Sequence, residues 1–214
     1  MRLDHVSYVA SHDQISDVVN RIGSQIGTAF VDGGIHPKFG TRNFTAPLLN
    51  GQYIEVVCPL DHPATDTTPF GRAVKKKVNE GGGWLSWVIS TNDIAKFEKQ
   101  FNRLSVIGNR RLPNGSELEW KQLGVLALIE DPASPFFIEW QTKNHPSQTG
   151  VSDVLLKKIT LVGDKNRIQE WLGTTIQSIL NEVEFEFLEP SSDLQNVGIE
   201  EITFAYKGNT ITIN

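Results

Sequence analysis

The chain has 214 residues, enough to bury a core without covalent help, and its single cysteine, Cys58, excludes a disulfide framework or a cluster of cysteine ligands. Hydrophobic residues make up 39% and charged residues 21%, with no apolar run near the roughly 18 residues a membrane span needs, so no membrane partner is expected. A net charge of −5 argues against a dedicated nucleic-acid binder, whose affinity comes from concentrated Lys and Arg.

The chain opens on Met1-Arg2-Leu3-Asp4-His5, an acid and a histidine where a signal peptide needs apolar residues. No export is expected, and the lone cysteine, read as a buried small hydrophobe, agrees with a cytoplasmic setting. The first strand then splits by alternation into Val6, Tyr8 and Ala10 on one face and His5, Ser7 and Val9 on the other. Ser11 and Gln14 match a capping box for a helix with Ile15, Val18, Val19 and Ile22 on one side and Gly23 placed to end it. Asp32-Gly33-Gly34 carries hairpin chemistry, and His36 precedes Pro37, which biases it to an extended backbone. A closing strand over residues 52–57 sets Ile54 and Val56 against Glu55. Thr68-Pro69 reads as a helix start with Phe70, Val74 and Val78 on one face, and Gly81-Gly82-Gly83 as its stop, so residues 62–83 form a connecting helix. Lys75-Lys76-Lys77 is read as solvated surface.

The same plan then recurs. Residues 84–141 hold a strand with Leu85, Trp87 and Ile89 opposite Trp84, Ser86 and Val88 and a helix capped by Thr91 or Asn92 with Ile94, Phe97 and Phe101 inward. A Pro113-Asn114-Gly115 turn follows, and a closing strand with Ile138 and Trp140 opposite Glu139. After a polar linker at residues 142–153, residues 154–214 repeat it once more, with Ile159 and Leu161 in the strand, Asp164 capping a helix, a Lys207-Gly208-Asn209 turn and a last strand at 209–213. The reading is thus an α+β chain of βαβββ units: a first module at 1–61, a connecting helix at 62–83, a second module at 84–141, and a third at 154–214. That third unit has Lys158 and Thr212 where the first has His5 and Glu55, so it is a degenerate, structural module, packed on the pair or meeting its twin in a homodimer.

A carboxylate placed in an apolar layer would lose several kcal/mol of hydration, so Glu55 and Glu139 are expected on the concave face with His5, Ser7, Trp84 and Ser86. Leu3-Asp4-His5, Gly33-Gly34-Ile35-His36, Gly40-Thr41-Arg42-Asn43, Gly51-Gln52-Tyr53-Ile54-Glu55, Gly82-Gly83-Trp84-Leu85 and Phe136-Phe137-Ile138-Glu139-Trp140 stand in the order seen in glyoxalase-like proteins. Over roughly residues 1 to 145 the chain resembles that branch of the vicinal oxygen chelate superfamily.

The resemblance implies a half-open mixed β-barrel with flanking helices, whose first and last strands offer four inward positions for a divalent metal. Those positions are His5, Glu55, Trp84 and Glu139, and Trp84 has no lone pair to give, which leaves His5, Glu55 and Glu139 as ligands for Zn, Mn, Fe or Mg. Glu139 and His36 are the candidate proton-transfer groups, His36 doubling as a possible fourth ligand, and Trp84, Asn43, Ser7 and Ser86 the candidate substrate contacts. Two functions follow: a metal-dependent isomerase, lyase or dioxygenase on a small oxygen-chelating metabolite, or a metal-independent protein that sequesters a small molecule or drug. In the second, Glu55 and Glu139 pair with Arg42, Arg110 or Arg111. His12, His62 and His145 are read as surface residues.

Overall fold

The computed structural model describes residues 1–180, 182–190 and 197–214. Twelve strands and six helices are assigned among them. In the first module, β1 (Arg2–Val9) leads into α1 (Ile15–Ile26), and β2 (Val31–His36), β3 (Thr41–Pro47) and β4 (Tyr53–Pro59) follow. Residues 62–83 are two helices rather than one: α2 (Pro63–Thr67), capped by the His62 side chain, and α3 (Pro69–Asn79), capped by Thr68. Each starts on a proline, which ends the helix before it.

The second module runs β5 (Gly83–Ser90), α4 (Ile94–Phe101), β6 (Val106–Arg111), β7 (Glu117–Leu123), the single turn α5 (Ala127–Glu130), and β8 (Phe136–Trp140). The third holds β9 (Leu155–Val162), α6 (Lys165–Leu172), β10 (Glu184–Leu188), β11 (Gly198–Tyr206) and β12 (Asn209–Ile213). Three helix ends differ in detail from the sequence reading: at the start of α1, Ser11 Oγ donates to Gln14 Oε1 and neither side chain caps a backbone N–H. Helix α1 runs through Gly23 to a left-handed cap at Gly27, and Asp93, one residue beyond the expected caps, accepts from Lys96 N–H to start α4. Asp32-Gly33-Gly34 lies within β2 instead of forming its turn, while Pro113-Asn114-Gly115 and Lys207-Gly208 do turn the chain.

The first eight strands close a barrel in the order β1-β4-β3-β2-β6-β7-β8-β5. Each module pairs its first strand with its last in parallel, β1 with β4 and β5 with β8, and the modules meet along the antiparallel β1–β5 pair. The half-open side is bridged by a single pair, Ile35 opposite Arg111. Gly34 makes that bridge possible: its φ is +91°, and a Cβ there would run into the Arg111 carbonyl.

The third module forms a separate sheet in the order β10-β9-β11-β12. Its first strand lies inside the sheet, between β10 and β11, so it departs from the barrel modules in pairing as well as in residues. Ile159, Leu161, Ile202 and Phe204 pack with Val6, Ile54, Trp87 and Phe137 from the outer barrel face and with Ile22 and Phe97 of the flanking helices in one continuous core. Packing on the pair is therefore how this unit buries its apolar face. A second core fills the barrel itself, where Val9, Val57, Leu85, Val88, Trp120, Phe136 and Ile138 meet Phe70 and Val74 of α3. No helix among the described residues is long and apolar enough to cross a membrane.

Candidate functional site

Strand register builds the site. Ser7 on β1 is level with Glu55 on β4, and Glu55 lies opposite Thr45 on β3, so these side chains and Asn43, two residues along, share the inner face. The Glu55 carboxylate is 5% exposed, and both its oxygens are engaged: Ser7 Oγ donates to Oε2 and Asn43 Nδ2 to Oε1, each at 2.6 Å. Burial opposes its charge, but the fields of His5 and His36 and these two donors hold its pKa below the usual glutamate value.

His5 is set by its neighbours. Its ring stacks on Tyr53 with centroids 4.3 Å apart, and Nδ1 donates to Asp4 Oδ2 at 3.0 Å, leaving Nε2 as the nitrogen available to a ligand. Asp4 is fully buried, and burial would push its carboxyl up. Donation from His145 Nε2 (3.2 Å) and from His5, helped by their fields, outweighs burial and holds it well below the ordinary carboxylate range. Arg2 and the Trp140 indole N–H complete its shell. His145 is thus a member of the site's mouth rather than a surface linker residue; its Nδ1 accepts from Ser147 N–H, which places the ring proton on Nε2 toward Asp4.

His36 bonds Thr41 through Nδ1 at 2.9 Å and sits edge-on to Trp120, Phe39 and Phe70. Desolvation among these rings, partly offset by the field of Glu55, pushes its pKa down to about 4, so it is neutral near pH 7. His5, His36, Asn43, Tyr53, Glu55 and Arg110 line a cavity of about 30 Å³, walled on the other side by Trp120, Phe136, Ile138 and Trp140. That volume holds about one water.

Two expectations fail on which face a strand residue takes. Glu139 lies on the outer face of β8, since Phe136, Ile138 and Trp140 point inward. Its Oε1 accepts from Ile94 N–H at the start of α4 (3.2 Å), and Gln141 and Lys121 flank its other oxygen. A helix N-terminus supplies the donor that the desolvation argument had sought in the concave face. Trp84 is displaced by a β-bulge. Ser7 pairs with Ser86 but Tyr8 with Trp84, so Leu85 is the extra residue and Trp84 turns outward. There it meets Tyr8 edge-on at 5.1 Å and donates to the Ile213 carbonyl at 2.8 Å, docking the third module instead of walling the cleft. The arginine pairings also differ: Arg42 pairs with Asp32 and Arg111 with Glu117.

The structure does not bring the three expected metal ligands together as one set. Among the described residues no three His, Cys, Asp or Glu side chains stand together to share an ion. Glu139 is on the wrong face, both Glu55 oxygens hold short hydrogen bonds, and one His5 nitrogen is committed to Asp4. Cys58 is buried and its thiol pushed up to about 11 by desolvation, so it adds no reactive thiolate. Ser7 acts on the cavity through Glu55, Asn43 both holds Glu55 and lines the cavity, and Ser86 is buried level with Ser7 with its hydroxyl unpartnered among the described residues.

The sequence reading passed over Asp4, Tyr53, Trp120 and Trp140 and saw Arg110 only as an ion-pair partner. A signal was there for one strand. Glu117, Glu119 and Lys121 alternate with Leu118, Trp120 and Gln122, which marks the second set as inward. Gly108 lies level with Trp120 on β6, and any side chain there would strike the indole.

The whole chain is similar to the crystal structure of a hypothetical protein from Staphylococcus aureus, at 16% identity and a TM-score of 0.67, covering 100% of this chain and 98% of that one. A hypothetical protein from Bacillus halodurans C-125 aligns at 15% identity and a TM-score of 0.44, over 67% of this chain and 96% of that one. Methylmalonyl-CoA epimerase from Mycobacterium tuberculosis aligns at 14% identity and a TM-score of 0.42, over 65% and 86%. No curated protein matches the chain. The sequence profile of the glyoxalase-like domain matches residues 3–176, which takes in both barrel modules and runs into the third. The chain belongs to this family of glyoxalase-like domains, within the vicinal oxygen chelate superfamily.

Proposed function

We propose that this protein takes a small organic molecule into the barrel cavity and moves a proton on it with His5, without a resident divalent ion. The observation that carries this reading is the buried Asp4–His5 pair. Asp4 fixes the ring so that a neutral His5 presents Nε2 to the cavity, and the carboxylate stabilises the imidazolium formed when Nε2 takes a proton. The electron pair left behind stays on the ligand, and the proton returns to it from the same nitrogen at another atom or face, which is isomerase chemistry. His36, kept neutral by burial, contributes a hydrogen bond and no charge. Glu55, locked by Ser7 and Asn43, keeps a fixed carboxylate in the cavity lining.

The rival reading is a metal-dependent enzyme using His5, Glu55 and His36, all of which line the cavity. Calorimetric titration of chelator-treated protein with Zn²⁺ and Mn²⁺ separates the two. The proposal expects no saturable one-to-one binding, and the same baseline in Glu55→Gln. One equivalent bound by the native chain and lost in Glu55→Gln would overturn it.

A further inference from the structure

Arg110 is 2% exposed, and its Nε and Nη2 have no hydrogen-bond partner among the described residues. Among the described residues no carboxylate lies within ion-pairing distance of it; Asp32 pairs with Arg42, and Glu55 accepts from Ser7 and Asn43. Leaving two guanidinium donors dry and unpaired is among the costlier arrangements a protein can hold. Nε–H and Nη2–H form one edge of the guanidinium plane, a fork that matches the two oxygens of a carboxylate.

A second unmet group stands beside it. Asn43 Oδ1 is buried without a donor, and its orientation is fixed because Nδ2 must face the Glu55 carboxylate. Gly33 brings the two together: a Cβ built on it would run into Asn43 Oδ1 and come within 3.0 Å of Arg110 Nη1. The cavity lining therefore holds a buried guanidinium with unmet donors and, close to its Nη1 end, a lone acceptor. Aromatic walls line the same cavity, and Trp140 is the one partly exposed member of the lining, so a ligand larger than the single water the closed cavity holds is accommodated by displacing Trp140.

We propose that the ligand of this cavity is a 2-hydroxy carboxylic acid, its carboxylate on the Nε–Nη2 edge of Arg110 and its hydroxyl donating to Asn43 Oδ1. The assignment rests on the reading of the cavity as the functional site. Charge balance agrees with it: the carboxylate neutralises Arg110, whose ionised form burial disfavours and the fields of Tyr53, Glu55 and Asp32 support. A neutral amide of the same shape would set a third N–H group against donors that need acceptors.

The probes are mandelate, which adds a ring for the aromatic wall, mandelamide, and phenylacetate, which lacks the hydroxyl. Binding is read from the indole N–H resonances of Trp120 and Trp140. Mandelate is expected to bind at least tenfold more tightly than either analogue, with Arg110→Met losing at least tenfold for mandelate and little for mandelamide. Arg110→Lys, which keeps the charge without the fork, is expected to fall between. The wild-type comparison decides the matter even where a variant does not fold. Mandelamide binding as tightly as mandelate would overturn the carboxylate assignment and leave the cavity as the site. Equal binding of phenylacetate would overturn the hydroxyl contact and with it the proposal as stated. No response of Trp120 or Trp140 to any probe would overturn the assignment, while the metal titration and the state of His5 still test the cavity reading separately.

Discussion

The two halves of the barrel are built from the same βαβββ plan and face each other across one cavity, yet they line it with opposite chemistry. The first module supplies His5, His36, Asn43, Tyr53 and Glu55, all buried, with short hydrogen bonds from Ser7 and Asn43 fixing Glu55. The second supplies Trp120, Phe136, Ile138 and Trp140, with Arg110 the one charged group it sends inward. Glu55 and Glu139 show how far equivalent positions can diverge: one is held inside by two side-chain donors, the other outside by the first turn of α4. A repeat fixes where strands run. Which face a residue takes depends on what its neighbours offer, and one bulge at Leu85 is enough to turn Trp84 away.

The largest expected effect comes from breaking the polar half. Asp4→Ala removes the acceptor that His5, His145, Arg2 and the Trp140 indole all address, and urea denaturation is expected to show a loss of about 3–5 kcal/mol. His36 gives the next effect through pH. The unfolded imidazole binds a proton below about 6.5, while the buried one stays neutral down to about 4. Its stabilising contribution is therefore full above about pH 6.5 and is lost as pH falls toward about 4, on the order of 3 kcal/mol in all. Asp4 and Glu55, with pKa values held low, add a loss of their own only toward the acid end of that window, where the unfolded carboxyls take protons and the native ones do not. Chemical denaturation of the native chain and of His36→Gln across that range should show the slope in the first and its reduction in the second.

Smaller changes test the outer position of the second carboxylate and the aromatic half. Glu139→Ala takes away the acceptor at the start of α4 and is expected to cost about 0.5–2 kcal/mol with the Trp120 and Trp140 resonances unmoved. A large shift of those two indoles would place Glu139 at the cavity after all. Ile138→Val trims one methyl from the aromatic wall and is expected to cost about 0.5–1.5 kcal/mol in the same denaturation experiment.

Much of the architecture was legible in the sequence. The alternation of faces in β1 and β4, the Thr68-Pro69 and Asp164 helix starts and the repeat of the closing strands all stand as read, because side-chain alternation along a strand and helix caps are local signals. The site was legible only in its first half. His5 and Glu55 could be paired by parity, but Asp4 and His145 meet across 141 residues of chain, and nothing local marks that contact. Glu139 and Trp84 went astray because an apolar inner wall and a bulge each reverse the inference from hydrophobicity to face.

The central claim is that His5 works as an Asp4-oriented base free of metal. Histidine-selective nitrogen-15 NMR of the native chain tests it most directly, at about pH 8, above the ordinary imidazole range. A neutral His5 carrying its proton on Nδ1, with Nε2 bare and unchanged by one equivalent of Zn²⁺ or Mn²⁺, is the expected result. A proton on Nε2, or a metal-induced change at Nε2 that Glu55→Gln abolishes, would contradict it.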